Sequence, residues 1–237
     1  MITTGTYKSY DYTLIIPARI EHSLLWLHGY KERADRILAR SHLVELAEQY
    51  HTAIVLPDVP DCYYLNQPWN NLYIEDYLRK ELLPYLQTEH RLFTVPATSS
   101  IGGISMGGFG SLLLGSRSNL FSKIIVISGA FILDDITNGN PEIVGYDNVD
   151  NFQRLFGDFA TLRTSYERNP VLAATAALKS ARLPSLFLAC GTEDLLYPRN
   201  RAVYRTLTEI GADITWFEAA GNHEWEFFNL AIAAAFQ

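Results

Sequence analysis

A serine set between glycines places the strongest constraint on how this chain can fold. Residues 103–108 read Gly-Ile-Ser-Met-Gly-Gly, the G-x-S-x-G pattern of a sharp strand-to-helix turn that exposes a serine hydroxyl above a sheet. This turn strains Ser105 and needs small neighbours, so Gly103 would let the strand pass close to the helix and Gly107 would give the helix room to begin. The pattern alone arises by chance in roughly one chain of this length in ten, so its meaning depends on the flanking sequence.

The flanking sequence has the strand, turn, helix and strand order that the turn requires. Residues 98–104 predict a buried strand, residues 109–116 a helix that is apolar on nearly all sides, and residues 123–128 the next buried strand. Strands and helices alternate elsewhere, which predicts an α/β fold with a mostly parallel sheet and helices on both faces. The other predicted strands are 12–16, 24–28, 53–56, 184–190 and 214–217, and the other predicted helices are 41–50 with Ser41 as N-cap, 71–90 with a kink or a restart at Pro84, 200–210 and 224–236.

One segment interrupts this alternation. Residues 129–183 are too long for a loop and lie between two predicted strands, where ligands bind at the strand ends of such folds. We interpret them as a small cap insertion, and an ordinary crossover helix with decorated loops is the alternative. Because no repeat, low-complexity tract or linker divides the chain, we expect residues 1–237 to form a single domain that carries this insertion.

Composition excludes several classes of function. The formal net charge is −7 and no basic run is present, which argues against nucleic acid or an anionic membrane as a partner. The apolar residues 227–236 reach about half of the roughly 20 residues that cross a bilayer, and the N-terminal residues have no apolar signal core, so we expect a cytoplasmic protein. No metal-ligand spacing or phosphate-binding glycine loop is present, so we expect no metal and no cofactor. Exposed aromatic residues would suit a homo-oligomer.

The two cysteines, Cys62 and Cys190, are expected to be free thiols. They lie beyond strands about four positions apart in the expected sheet, which is nearly 20 Å, whereas a disulfide needs Cα atoms within about 7 Å. Free thiols also suit the cytoplasm. Cys62 follows a strand in an expected active-site loop, so two interpretations stay open for it: a reactive thiol, or a partly buried small apolar residue.

Residues after the later strands supply partners for the serine. A serine hydroxyl becomes a nucleophile when a base lies within hydrogen-bond reach and an acid orients that base. In this architecture the acid follows the strand after the cap, where residues 191–194 read Gly-Thr-Glu-Asp, so Asp194 is the predicted acid and Glu193 the fallback. Of the six histidines only His223 comes after the acid, in a glycine-containing loop, and it is the predicted base.

Two backbone N–H groups are predicted to hold the oxyanion that forms in such a reaction. One belongs to Met106, which follows the nucleophile at a helix N-terminus. The second is expected from the loop that follows an early strand, in residues 24–30 (Leu-Leu-Trp-Leu-His-Gly-Tyr), and we assign it to Tyr30. Gly29 would permit the turn that points this N–H inward, and His28 is expected to hold the loop through side-chain hydrogen bonds.

Together these motifs resemble the esterase D-type branch of the α/β-hydrolases, which includes tributyrin-type esterases, S-formylglutathione hydrolases and feruloyl or acetyl-xylan esterases. The resemblance covers most of the chain and is closest to small bacterial tributyrin-type esterases. Two departures are Phe228, where family members often carry a tryptophan, and residues 31–33 (Lys-Glu-Arg), which lack a glycine often seen there. The matching motifs are Leu-His-Gly at 27–29, Tyr63-Tyr64 after Pro57-Asp58, residues 73–77 and 81–84, Gly-Ile-Ser-Met-Gly-Gly at 103–108, Gly-Thr-Glu-Asp at 191–194 and Gly-Asn-His-Glu-Trp at 221–225.

The resemblance implies an α/β-hydrolase fold and a serine carboxylesterase that hydrolyses short-chain acyl esters through an acyl-enzyme, without a cofactor. The small-molecule ester is expected to contact four residues, and two more aromatic residues are candidate pocket walls. The four are Gly29, Tyr63, Tyr64 and Trp225, and the further walls are Trp69 and Phe131.

Three alternatives to a short-chain carboxylesterase stay open at this point. The first is a thioesterase for S-formylglutathione, whose negative charge would be met by Lys31, Arg33 and Arg199. The second is a carbohydrate acetyl or feruloyl esterase. The third comes from another class, a non-catalytic binding protein with a hydrolase fold.

Overall fold

The computed structural model describes residues 1–144 and 147–237, and its centre is an eight-stranded sheet. Two further short strands pair with each other outside that sheet. The strands of the central sheet are β1 (Ile2–Tyr7), β2 (Tyr10–Ile15), β3 (His22–Leu27), β4 (Thr52–Asp58), β7 (Ser99–Ile104), β8 (Lys123–Ile127), β9 (Ser185–Gly191) and β10 (Ile214–Ala219), and the separate pair is β5 (Asn66–Gln67) and β6 (Leu72–Tyr73).

The central sheet has the strand order β1-β2-β4-β3-β7-β8-β9-β10. β2 pairs antiparallel with both β1 and β4, and every other neighbouring pair, from β4 to β10 in that order, is parallel. The carboxyl ends of β3, β7, β8, β9 and β10 therefore meet at one edge of the sheet. The predicted mostly parallel sheet is confirmed.

Helices fill the connections between the strands and cover both faces of the sheet. A π-helical segment, Tyr77–Leu82, joins two of them. The helices are α1 (Ala34–Arg40), α2 (Leu43–Gln49), α3 (Ile74–Asp76), α4 (Leu83–Glu89), α5 (Met106–Ser116), α6 (Leu133–Asn138), α7 (Pro141–Val144), α8 (Val149–Phe156), α9 (Phe159–Leu162), α10 (Pro170–Lys179), α11 (Tyr197–Glu209) and α12 (Trp225–Ala235).

Alternate residues of β3 divide the core into two clusters. Leu25 and Leu27 belong to one cluster, which α5, α10 and α11 complete, whereas Leu24 and Trp26 belong to another, which α1, α2 and α12 complete. Because successive strand residues point to opposite faces, the two clusters lie on opposite faces of the sheet. Every residue of α5 is buried, as its all-round apolar sequence predicts.

Two predicted helix starts were wrong for local reasons, and a third prediction, at Pro84, is confirmed in one of its two forms. The helix predicted from Asn71 begins at Ile74, because Asn71 is left-handed (φ 51°) and the next two residues form β6. Pro84 lies in the first turn of α4, directly after the π-helical segment Tyr77–Leu82, so of the two expectations for it, a kink or a restart, the structure supports the restart. Ser41 follows α1 as its C-cap, and α2 begins only at Leu43.

In the described residues of the connection between β8 and β9 lie five helices, α6 to α10. α10 packs along α5 on the face of the sheet, the position of a crossover helix. α6 to α9 come before it and bury apolar side chains such as Ile136, Leu155 and Leu162 in the cluster that contains Leu25. This arrangement places α6 to α9 close to the carboxyl edge of the sheet, where the residues described below converge.

Candidate active site

Ser105 sits at the turn between β7 and α5 in a strained conformation. Its φ of 57° and ψ of −115° are unfavourable for a residue with a side chain. Three backbone hydrogen bonds hold it there: its N–H donates to Ile127 O at 2.9 Å, and its carbonyl accepts from Phe109 N at 3.0 Å and Ala130 N at 3.0 Å. The surrounding structure thus fixes the strained turn and presents the serine at the carboxyl end of β7.

Close packing explains why glycines flank this turn. A Cβ on Gly103 would lie 2.6 Å from Leu27 O, and a Cβ on Gly107 would lie 2.0 Å from the same oxygen. Real Cβ atoms do not approach backbone that closely, so both positions require glycine for α5 to begin against β3. The sequence argument for small neighbours of Ser105 therefore has a direct steric basis.

Asp194 and His223 form a hydrogen-bonded pair beyond β9 and β10. His223 Nδ1 donates to Asp194 Oδ2 at 2.8 Å, and Leu196 N donates to Asp194 Oδ1 at 2.8 Å. The Asp194 side chain is fully buried. Burial alone would raise the pKa of Asp194, but the hydrogen bonds from His223 and Leu196 leave it below its ordinary value. Glu193, the fallback acid, is exposed on the neighbouring turn.

The loops that carry this acid and this histidine touch each other. Thr192 N donates to Ala219 O at 2.9 Å, and Glu193 N donates to Gly221 O at 3.0 Å. A Cβ on Gly191 would lie 2.2 Å from Gly221 O, so glycine at position 191 allows this approach. The contact brings His223 back over the end of β9, beside the acid.

Ser105, Asp194 and His223 line one cavity of about 430 Å³ at the carboxyl edge of the sheet. Within the described ranges, no hydrogen bond joins the Ser105 hydroxyl to His223. Hydrogen bonds of this type are often long without substrate and tighten when it binds. With Nδ1–H on Asp194, Nε2 of the neutral imidazole is free to accept a proton, so the arrangement suits a serine nucleophile with a histidine base.

The loop after β3 lies directly against Ser105. A Cβ on Gly29 would be 3.7 Å from Ser105 Cβ, so the backbone of Gly29 and Tyr30 borders the nucleophile. His28 is buried, with Nδ1 2.8 Å from Gly29 O and Nε2 3.0 Å from Val59 O. The reason predicted for Gly29 was wrong, because its φ is not positive and a Cβ would make only ordinary contacts.

The lining of the cavity comes from both core clusters, which lie on opposite faces of the sheet. The lining residues that belong to the cluster with Leu25 define what we call the cap-side limb, and those that belong to the cluster with Trp26 define the Trp26-side limb. The cap-side limb consists of Leu27, Tyr63, Ala130, Ile132, Ile143, Phe152, Leu155 and Leu196, and the Trp26-side limb of Trp26, Ile37, Ile104 and Phe228; Glu32, Arg40 and Trp225 also line the cavity.

Three of the four predicted substrate contacts border the cavity, and Tyr64 does not. Tyr63 lines the cap-side limb, but Tyr64 was a wrong prediction: it is fully buried, does not line the cavity, and donates its hydroxyl to His28 O at 2.9 Å. Gly29 and Trp225, the other two predicted substrate contacts, border the cavity. The further walls Trp69 and Phe131 lie outside its lining.

Several lining residues had no signal in the sequence. Trp26 lies in β3 and Phe228 in α12, each among other apolar residues. Whether such a residue borders a cavity depends on how the strand or helix packs against distant parts of the chain. Ile143 and Phe152 lie in the connection that was assigned to a cap without individual roles. Only the charge at Glu32, next to a predicted oxyanion loop, could have drawn attention to its position.

Both cysteines are buried free thiols. Burial raises the pKa of Cys62 to about 12, so the thiol stays protonated at neutral pH. Burial and the nearby Asp194 charge also raise the pKa of Cys190. Of the two interpretations of Cys62, the structure supports the small buried residue.

Comparison with known proteins identifies the family. A family model described as "Putative esterase" matches residues 17–237. The chain belongs to this esterase family. An acetyl esterase of Caldicellulosiruptor saccharolyticus is 31% identical over 221 residues, which cover 91% of this chain and 82% of that protein. The esterase is therefore a carboxylic ester hydrolase, whose substrates are small-molecule esters.

Solved structures share the fold of this esterase. The fluorophosphonate-binding serine hydrolase FphF of Staphylococcus aureus matches with a TM-score of 0.88 and 20% identity, over 100% of this chain and 96% of that one. The S-formylglutathione hydrolase FrmB of the same organism matches with a TM-score of 0.83 and 20% identity, over 100% and 96%. At this identity the likeness establishes an α/β-hydrolase fold.

Two kinds of feature are absent from the described part of the esterase. No group of three or more His, Cys, Asp or Glu side chains there could hold a metal ion. No helix there is long and apolar enough to cross a membrane.

Proposed function

We propose that the esterase hydrolyses short-chain acyl esters, such as tributyrin, through a Ser105–His223–Asp194 triad. The observation that carries the proposal is the 2.8 Å hydrogen bond from His223 to a fully buried Asp194, at a cavity that Ser105 also lines. A buried carboxylate that fixes one imidazole nitrogen leaves the other to act as the base for a serine.

The first half of the reaction makes an acyl-enzyme. Ser105 Oγ attacks the ester carbonyl carbon while His223 Nε2 takes the hydroxyl proton, and Asp194 stabilises the imidazolium that forms. The tetrahedral oxyanion accepts hydrogen bonds from the backbone N–H groups of Met106 and Tyr30, next to the nucleophile. When the carbon–oxygen bond to the alcohol breaks, His223 gives the proton to the leaving oxygen.

The second half regenerates the free enzyme. A water molecule gives a proton to His223 Nε2 and attacks the acyl carbon, and the same two N–H groups hold the new oxyanion. Collapse of this intermediate releases the acid and returns the proton to Ser105 Oγ. Water serves as the acyl acceptor, so the net reaction consumes one water for each ester.

The size of the cavity favours short acyl chains. Its whole volume is about 430 Å³, at the small end for ligand pockets. Apolar side chains of α7 and α8, including Ile143 and Phe152, line the cap-side limb, which suits an acetyl to butyryl group. We propose that α6 to α9 act as the cap of a single domain and limit the acyl length.

The charged residues near the site argue against the thioesterase alternative. Lys31 Nζ lies over the Tyr30 ring at 5.0 Å, and Arg33 Nη2 is 3.6 Å from Asp58 Oδ2. Arg199 makes two hydrogen bonds to Asp135, at 2.7 and 2.8 Å. Because both arginines pair with carboxylates, Lys31 is the one of these three cations whose charge an anionic thioester could still meet.

Replacement of Ser105 by alanine tests the proposal. Ser105→Ala is expected to lower kcat for p-nitrophenyl butyrate by about 10⁴-fold or more and to abolish labelling by a fluorophosphonate probe. The substitution removes only a hydroxyl, so circular dichroism and the unfolding temperature should show an intact fold.

Ser116→Ala is the matched control. Ser116 lies at the end of the same helix, and its buried hydroxyl has no hydrogen-bond partner in the described structure, so the variant should keep full activity. Substantial activity in the Ser105 variant would overturn the proposed mechanism. A wild-type protein that takes no fluorophosphonate label would instead favour a non-catalytic binding protein.

A further inference from the structure

Asn200 is a fully buried polar side chain that the proposed reaction does not use. It lies in the first turn of α11 and makes three side-chain hydrogen bonds to backbone groups. Oδ1 accepts from Gly129 N at 2.9 Å, and Nδ2 donates to Gly129 O and to Leu196 O, each at 2.9 Å. Burying an amide is unfavourable unless its hydrogen bonds are made, so a satisfied amide specifies one arrangement of the segments that it joins.

One of these segments lies between the nucleophile and the acid. It consists of residues 128–130, and we call it the bridge segment. β8, which it follows, is the strand between β7 and β9 in the sheet. Ala130 N donates to Ser105 O at 3.0 Å, and Ser128 N donates to Ala189 O of β9 at 2.7 Å. The bridge segment therefore contacts both the turn that bears the nucleophile and the strand that leads to the acid.

The first residue of the bridge segment also contacts the acid itself. Ser128 is fully buried and left-handed, with a φ of 47°, and its hydroxyl lies 3.7 Å from Cys190 Sγ. Burial acts to raise the pKa of Asp194, and a hydrogen bond from the Ser128 hydroxyl is among those that lower it. A shift of the bridge segment would thus disturb the carboxylate as well as the turn at the nucleophile.

The other segment that Asn200 joins is the loop of the acid. Leu196 O accepts from Asn200 Nδ2, while Leu196 N donates to Asp194 Oδ1 at 2.8 Å. Ser105 and Asp194 follow different strands, so their relative position depends on how these loops are held together. Asn200 holds them by binding the bridge segment and the loop of the acid with one amide.

We propose that Asn200 is a positioning residue for the hydrolysis, which keeps Asp194, and His223 with it, aligned with Ser105 by joining the bridge segment to the loop of the acid. The inference rests on the proposed function, because it concerns the alignment of that triad. Among the described residues Asn200 does not line the cavity, so its effect on the reaction is transmitted through the residues that it binds.

Asn200→Ala tests the role by removing all three hydrogen bonds. The smaller side chain leaves room for about one water molecule, which can satisfy the freed backbone groups and keep the protein folded. A water molecule holds those groups less rigidly, so kcat for p-nitrophenyl butyrate should fall about 100-fold, the loss that a misplacement of about 1 Å can cause. KM should stay within about threefold, because the cavity walls are unchanged. Labelling of Ser105 by a fluorophosphonate should slow by a similar factor.

Asn169→Ala is the matched control. Asn169 also makes three side-chain hydrogen bonds to backbone groups, but it does so at the start of α10 and, within the described ranges, outside the cavity lining. Oδ1 accepts from Val171 N at 3.0 Å and from Leu172 N at 3.3 Å, and Nδ2 donates to Arg163 O at 3.3 Å. The variant should have a lower Tm, because a helix cap is lost, while kcat stays within about twofold of the wild type.

A double-mutant cycle with Asp194→Asn shows whether Asn200 acts through the acid. Once the carboxylate is gone its alignment no longer matters, so Asn200→Ala should lower kcat less than about fivefold in the Asp194→Asn background. A purely structural role predicts the same loss, about 100-fold, in both backgrounds. Asn169→Ala should have equally small effects in the two backgrounds.

Three results would overturn the proposal: a folded Asn200→Ala variant with the kcat of the wild type, a loss that lies in KM alone, or equal losses in the two backgrounds. If Asn200→Ala does not fold, Asn200→Ser takes its place in the same cycle, because its hydroxyl can still bind one of the backbone groups, and its loss should be about tenfold. A wild type that hydrolyses no ester and takes no fluorophosphonate label would refute the proposed function itself, whereas an active wild type with an unimpaired Asn200 variant would refute only the role of Asn200.

Discussion

The Tyr30 hydroxyl donates a hydrogen bond to Asp147 Oδ2 at 2.9 Å and so ties the loop after β3 to the residues before α8. Asn151 Nδ2 donates to the same hydroxyl at 3.0 Å. Burial acts to raise the pKa of Asp147, but the hydrogen bond from Tyr30 and the neighbouring amides leave it lowered, so the acceptor stays ionised. On the other side, Lys31 N donates to Asp61 Oδ1 at 2.8 Å. The loop with the proposed oxyanion donor is thus held at two points.

Tyr30→Phe should weaken the oxyanion site without removing any backbone donor. The variant keeps the ring and loses only the bonds to Asp147 and Asn151, so the loop gains freedom. We expect kcat for p-nitrophenyl butyrate to fall about three- to tenfold and the free energy of unfolding to fall by about 1 kcal/mol. Tyr73→Phe, at an exposed position on β6, is the control. An unchanged kcat in the Tyr30 variant would show that this contact does not position the loop.

Asp194→Asn should disable the base while preserving the shape of the site. The amide N–H can donate a hydrogen bond to Nδ1 and so favour the wrong imidazole tautomer, which in serine enzymes of this type lowers kcat about 10⁴-fold. We expect a loss of similar size, measured with a short-chain p-nitrophenyl ester. Glu193→Gln is the neighbouring control and should retain most activity; if it were the more damaging change, the fallback acid would be the true partner of His223.

The pH dependence of the rate follows from the ionised state of Asp194. Because the pKa of Asp194 is lowered despite its burial, the carboxylate keeps its charge throughout the range above about pH 4. Any rise of activity with pH within that range must then come from the histidine, which accepts the serine proton only when neutral. We expect kcat/KM to rise between about pH 5 and 8, where histidine side chains lose their charge. A flat profile would contradict the role of His223 as base.

Much of the candidate site could be located from the sequence, because Ser105, Asp194 and His223 each lie next to a recognisable turn or strand end. Ser105 sits in a turn that glycines make possible, and Asp194 and His223 directly follow strands whose carboxyl ends share one edge. Such positions depend on neighbours in sequence and on the direction of parallel strands. The strand-to-helix turn and the loops that bear the acid and the histidine could therefore be located before the structure was known.

The walls of the cavity could not be predicted in the same way. Tyr63 and Tyr64 are adjacent and both have positive φ, 54° and 60°, so a turn with no glycine sends one ring to the cavity and the other into the core. Trp26 shares a strand with residues that face the opposite cluster, and nothing in its neighbours indicates a cavity. These outcomes depend on how distant elements pack, which a single sequence does not reveal.

Gly107→Ala should destabilise the fold strongly, because the added Cβ would lie 2.0 Å from Leu27 O, a backbone atom that cannot move without disturbing β3. We expect the free energy of unfolding to fall by about 3 kcal/mol or more. Gly29→Ala is the matched control, since its Cβ would meet no atom closer than 3.6 Å, and its stability should change by less than about 1 kcal/mol. Urea unfolding monitored by tryptophan fluorescence measures both. Equal stabilities would show that α5 can shift away from β3.

The ion pair between Asp135 and Arg199 should make part of the stability depend on acid. It joins α6 to α11 through two hydrogen bonds, at 2.7 and 2.8 Å, between side chains that are only 13% and 14% exposed. Burial acts to raise the pKa of Asp135, but the hydrogen bonds from Arg199 and Asn140 leave it lowered. A carboxyl with a lowered pKa in the folded state stabilises that state above its unfolded pKa of about 3.9, and this contribution is lost as the pH falls through the folded value.

Asp135→Asn should therefore cost about 2 kcal/mol of unfolding free energy at pH 7, and the difference from the wild type should shrink toward zero as the pH falls below about 4. Asp134→Asn is the adjacent control: its carboxylate is 82% exposed and lies 3.1 Å from Arg163 Nε, so solvent screens the pair and the change should be small at every pH. Urea denaturation at pH 7 and at several pH values between about 4 and 2 measures both variants. A cost for Asp135→Asn that persists unchanged in acid would assign the effect to packing of the side chain, since only the charged form of Asp135 can lose its attraction to Arg199 by protonation.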